Sequence, residues 1–138
     1  MRHFRLTERV RQLLRLARIP VLIALSGLLA VLAHAADVRI LVQSSPLAGF
    51  QYHAGGEHWS QLAVGDTLQL VREPDNLHDP KAVRVEWRGK MLGYLPRKEN
   101  RSVAAAMDEG DRVDARISRL REHRNPWQRV LIDVFVVL

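Results

Sequence analysis

The sequence predicts a compact all-β barrel carrying one short helix, and three observations lead there. Apolar and polar residues alternate over short runs, as in Leu68-Gln69-Leu70 and Val83-Arg84-Val85, the period of a strand with one buried face. Turn-forming residues separate those runs at Ser44-Ser45-Pro46, Gly55-Gly56, Gly65-Asp66, Arg88-Gly89 and Asn125-Pro126. Beyond the N-terminal leader, only the stretch between Pro96 and Gly110 has clear helical spacing. Many short strands with so little helix close most readily into a barrel.

The 138 residues suit one domain, preceded by a segment of different character. Arg2, Arg5, Arg9, Arg11, Arg15 and Arg18 precede an uncharged run from Ile19 to Ala33, followed by Ala33-His34-Ala35. A basic region, an apolar region and an A-x-A site make a secretory signal peptide over residues 1–35, with the domain at 36–138. An uncleaved signal anchor is the alternative, since the run falls just short of the ~20 residues of a spanning helix. An amphipathic transit peptide is the lesser one. The expected location is exported, periplasmic or secreted, with membrane contact only through the leader if it is retained. The charge follows the same division. The leader holds six of the 21 Lys and Arg and one of the 15 Asp and Glu, so residues 36–138 keep 15 basic against 14 acidic side chains. The overall +6 therefore belongs mainly to the leader and does not indicate that the domain binds phosphate. There is no cysteine, which excludes disulfides, thiolate zinc sites and thiol catalysis.

Strands are expected at Val38 to Gln43, Ala48 to His53 (Phe50 and Tyr52 on one side), Thr67 to Arg72, and Ala82 to Trp87. Arg88-Gly89 reads as a tight hairpin into a strand from Met91 to Leu95. Trp59 to Val64 is ambiguous. Asn100 is placed to cap a helix whose apolar face is Val103, Ala104 and Met107, closed by Gly110. Two longer strands, about Arg112 to Arg121 and Gln128 to Val137, complete a count of seven. Trp87 alternates with Val83 and Val85, which marks it for the core.

The segment Arg72 to Val85, REPDNLHDPKAVRV, carries the functional signal. Pro74 and Pro80 fix φ and remove two donors, while Asp75, Asn76 and Asp79 favour Asx turns. The result is a stiff loop holding out His78, Asp79 and Lys81. Its pattern R-E-P-D-N-x-x-D-P-x-A-V-x-V, with W-x-G-x-x-L-G-Y-x-P-R from Trp87 to Arg97, resembles the signature of the HIRAN domain. That resemblance implies an OB-like, Greek-key barrel that grips the 3′ end of single-stranded DNA. It places Tyr52 as a stacking aromatic and Asp79 as the carboxylate that accepts from a free 3′-hydroxyl. Arg72, Lys81 and Arg97 become candidates for phosphate contacts. His53, His78 and Tyr94 stand where DNA-binding members carry an aromatic, a tyrosine and a histidine, and Gln51 where a basic residue would help.

Other chemistry is thinly represented. His53, His58, His78 and Asp79 would offer zinc ligands if brought together, but their spacing follows no zinc pattern, and no cofactor is expected. No Gly-x-Ser-x-Gly, P-loop or His-Glu-x-x-His occurs, so a non-catalytic module is expected. Its partner is expected to be single-stranded DNA or another nucleic-acid end, or alternatively an envelope protein or other ligand.

Overall fold

Among the described residues, six strands and one α-helix follow one another as β1 (Arg39–Pro46), β2 (Thr67–Glu73), β3 (Ala82–Trp87), β4 (Lys90–Tyr94), α1 (Arg101–Asp108), β5 (Arg112–Leu120) and β6 (Val130–Val137). This computed structural model describes residues 37–138; the leader, as signal peptide or anchor, lies outside the described residues. The strands form a single antiparallel sheet in the order β1-β6-β5-β2-β3-β4. Within it, β2, β3 and β4 are a meander, and β5 returns beside β2 after α1. That 4-1-2-3 arrangement is a Greek key.

The sheet closes through Ala48, just beyond β1. Its N–H donates to the Tyr94 carbonyl at 2.9 Å, and its carbonyl accepts from the Tyr94 N–H at 3.0 Å. Gly93 permits this approach. Its φ is 152°, and a Cβ there would lie 2.4 Å from the Ala48 carbonyl oxygen, closer than atoms pack. A β-bulge between Val85 and Glu86 in the β3–β4 register adds the local twist that closure needs.

Alternation puts Leu68, Val83, Val85, Ile117, Ile132 and Val134 inside the barrel. Trp87 joins them, 3% exposed, with its indole N–H on the Asp66 carboxylate at 2.8 Å, so the polar edge of a buried ring is satisfied. Val103 and Ala104 seal α1 onto the barrel, and Gly110 ends the helix with φ 89°. The β3–β4 hairpin has its expected two-residue turn, with φ 49° at Arg88 and 75° at Gly89. Positive φ at both positions marks a type I′ turn.

Three expectations change. Ser44-Ser45-Pro46, expected to break the first strand, instead continue β1, paired with Asp133, Ile132 and Leu131 of β6. The strand expected over Ala48 to His53 is a 3-10 turn, Phe50–Tyr52, entered through Gly49 at φ 72°. Phe50 is 1% exposed, whereas Tyr52 is 80% exposed, so the two rings do not share a face and the strand count is six. Gly55 allows this turn, because a Cβ there would meet the Phe50 ring at 2.0 Å. Asn100 precedes α1, but its side chain makes no capping bond.

Candidate nucleic-acid interface

The loop from β2 to β3 is organised by Asn76. Its side-chain carbonyl accepts from the backbone N–H of His78 at 2.9 Å and of Asp79 at 3.2 Å, the Asx turn its residue type favours. Its side-chain NH2 donates to Glu73 Oε2 at 2.9 Å. At the far end, the Ala82 N–H donates to the Asp79 carbonyl at 2.9 Å. These local bonds hold the loop rigid despite its exposed Pro74, Asp75, Leu77 and Pro80.

Asp79 is partly buried and held at both oxygens. Oδ1 accepts from the Lys81 backbone N–H at 2.9 Å, and Oδ2 accepts from the Asn100 side-chain amide at 2.7 Å. Burial alone would raise its pKa. The two hydrogen bonds and the charges of Arg97 and Lys81 outweigh that, so the carboxyl lies below its ordinary value and is ionised at neutral pH. A carboxylate has about four acceptor positions, so capacity remains for a ligand.

Asp79 borders a pocket of about 260 Å³ shared with Asn76, His78, Tyr94 and Arg97. Ala48, Ala82 and Leu95 supply its apolar floor. Tyr94 is fixed by its hydroxyl, which donates to Glu73 Oε2 at 3.0 Å. Burial, then the bond to Glu73 and its negative charge, push the phenol above its ordinary pKa. Glu73 also binds the Arg84 guanidinium at 2.6 Å. The hydrogen bond from Asn76 leads the effects that hold its carboxyl low; burial opposes it, and Tyr94 and Arg84 reinforce it. The His53 ring meets Tyr94 edge-on, with centroids 6.2 Å apart. A larger cavity of about 630 Å³ lies against Trp59, His123, Arg124 and Arg129. It contains none of the residues expected to bind nucleic acid, whereas the smaller one gathers polar groups around an apolar floor, as ligand sites do.

The HIRAN domain pattern matches residues 40–138. The chain belongs to the HIRAN domain family. It is 30% identical over 97 residues to the Fanconi-associated nuclease 1 homolog of Oryza sativa subsp. japonica, a match covering 67% of this chain and 10% of that protein. The chain thus spans about a tenth of that relative's length. In fold it is similar to a Lactobacillus plantarum protein, with TM-score 0.64 and 24% identity over 74% of this chain and 98% of the other. The HIRAN domain of human HLTF aligns with TM-score 0.53 and 17% identity, covering 72% of this chain and 78% of that one.

In this HIRAN domain the structure gathers His78, Asp79, Tyr94 and Arg97 at one pocket. Lys81 is exposed beside it, and its charge reaches Asp79. Tyr52 and His53 lie on the turn after Ala48; His53 touches Tyr94, while the Tyr52 ring projects into solvent. Arg72 is engaged elsewhere. Its guanidinium pairs with Asp108 of α1 at 3.0 Å and donates to the Ala82 carbonyl at 3.2 Å, so it braces helix against sheet. The zinc set is not assembled: among the described residues no three His, Cys, Asp or Glu side chains converge on a metal position. His58 packs instead against the Trp87 ring, centroids 6.0 Å apart. Sequence reasoning missed Glu73 and Asn100 as site-shaping residues. Glu73 lies inside the quoted motif, and that is the signal which could have found it; Asn100 is brought in only by tertiary contact.

Proposed function

We propose that this HIRAN domain is a non-catalytic module that binds single-stranded nucleic acid by its free 3′ end. The observation that carries this reading is the pocket that sets an ionised, doubly braced Asp79 beside the Tyr94 ring and the Arg97 guanidinium. Asp79 accepts a hydrogen bond from the terminal hydroxyl. A terminal phosphate brings only acceptors and negative charge, so the same carboxylate repels it. Arg97 and Lys81 meet the adjacent backbone phosphates. The Tyr94 wall packs against the terminal sugar or base, and exposed Tyr52 stacks on a base further along. At about 260 Å³ the pocket is smaller than usual small-molecule sites, which suits one chain terminus. Fluorescence anisotropy with single strands differing only at the 3′ terminus tests this. The hydroxyl form should bind roughly tenfold or more tightly than the phosphate form, as expected for a hydrogen bond to a charged group. Equal affinities refute it.

A second reading, an exported interaction domain with a protein partner, draws on β1. Ile40, Leu41 and Val42 are exposed apolar residues there, with Val38 exposed just before the strand and Leu138 at the C-terminus, and apolar edge strands favour protein contact. Ile40→Asp should abolish such a contact and leave oligonucleotide binding intact; loss of both counts against separate surfaces.

A further inference from the structure

We propose that Asn100 is a positioning residue for end recognition: its side-chain amide fixes which lone pairs of Asp79 face the pocket and so sets the preference for a hydroxyl terminus. This rests on the end-binding reading above and deepens it.

Three observations lead to Asn100. It is 1% exposed, and its NH2 donates to Asp79 Oδ2 at 2.7 Å across 21 residues of sequence. It immediately precedes α1, where Asn normally stabilises a helix by capping, yet its side chain makes no capping bond. Its own carbonyl oxygen is buried without a hydrogen-bond partner among the described residues. A buried amide that forgoes its cap and leaves an acceptor unpaired is a poor choice for packing alone, where an apolar side chain of similar size leaves no polar group unsatisfied. The bond to Asp79 is what this amide provides. With Oδ1 held by the Lys81 N–H and Oδ2 by Asn100, the carboxylate cannot rotate, and its remaining acceptor positions point in fixed directions. Lys81 and Arg97 act on Asp79 by charge, His78 and Tyr94 share its pocket, and Glu73 lies across Asn76. Of these surroundings, Asn100 is the buried side chain that grips the carboxylate.

The test uses the full chain with 3′-hydroxyl and 3′-phosphate single strands, together with NMR titration of the Asp79 carboxyl in the unliganded protein. Asn100→Leu should cut the hydroxyl-over-phosphate ratio by roughly tenfold and raise the Asp79 midpoint, because a hydrogen bond to the charged form is lost. Asn100→Asp keeps the shape and covers the case in which Asn100→Leu fails to fold. Its two carboxyls share one proton near neutral pH and lose it at higher pH, so the hydroxyl preference should acquire an alkaline limb absent from the parent. An unchanged ratio in folded Asn100→Leu, an unmoved Asp79 midpoint, or an Asn100→Asp profile matching the parent overturns the assignment. Equal loss for both termini also overturns it, since that is the mark of a simple brace. A parent protein without any terminal preference overturns the end-binding reading itself, and the Asp79 midpoint separates that failure from this one.

Discussion

Gly93→Ala tests how the barrel closes and whether the pocket depends on closure. The added Cβ would sit 2.4 Å from the Ala48 carbonyl oxygen, on backbone at φ 152°. Either Ala48 moves away or β4 does, and the two Ala48–Tyr94 hydrogen bonds at 2.9 and 3.0 Å are lost. Two such bonds contribute about 1–3 kcal/mol net, and holding a non-glycine residue in that backbone region costs about 1–3 kcal/mol more. The sum, about 2–6 kcal/mol, is a large part of the ~5–15 kcal/mol typical of a domain. A chain of this size should lose about 10 °C or more in Tm. Thermal unfolding followed by circular dichroism, with urea titration as a check, reads the loss. Ala48 and Tyr94 both border the pocket, so oligonucleotide affinity should fall in the folded fraction as well. A Tm within about 2 °C of the parent, with binding intact, would refute the closure described here.

Acid should weaken the fold through Glu73 and Asp79. Both carboxyls lie below their ordinary values of 4.5 and 3.8, so their stabilisation is present above those values and is lost as pH falls through the depressed ones. Urea midpoints should be flat from neutral pH to about pH 5 and decline below ~4, and Glu73→Gln should soften the decline; an unchanged slope would contradict the network. With Arg97 and Lys81 contacting phosphate, binding to a single strand should fall with log salt at a slope of roughly −1.4. Arg97→Ala should reduce that slope by about 0.7, and an unaltered slope removes Arg97 from the phosphate path. We further propose that residues 1–35 are removed on export. The mass of the purified product of full-length expression should then correspond to a chain beginning at Ala36; an intact mass points to a retained anchor.

Much of the fold could be read from local pattern. The Arg88-Gly89 hairpin, the buried alternation of Val83, Val85 and Trp87, and the helix stop at Gly110 each depend on a few neighbouring residues, and each is present. The segment after β1 reads as a strand because Phe50 and Tyr52 have strand spacing, yet it folds as a 3-10 turn. What decides its conformation is a left-handed Gly49 and the space that Gly55 leaves for the Phe50 ring. The loop motif located Asp79, but its environment depends on partners far along the chain. Asn100 lies 21 residues away, as does Tyr94 from Glu73, and Asp108 lies 36 from Arg72. No periodicity encodes such pairs. Arg72 shows the consequence: its place in the motif suggests phosphate, while its actual partner is a helix carboxylate.

Asp79 should accept a hydrogen bond from a terminal hydroxyl, and a double-mutant cycle between protein and ligand measures that bond directly. Wild type and Asp79→Ala are each titrated with single strands ending in a 3′-hydroxyl or a 3′-hydrogen. Removing either partner should cost about 1.5–3 kcal/mol, and removing both should cost little more than removing one. Additive losses, or no loss on deleting the hydroxyl, would contradict the claim.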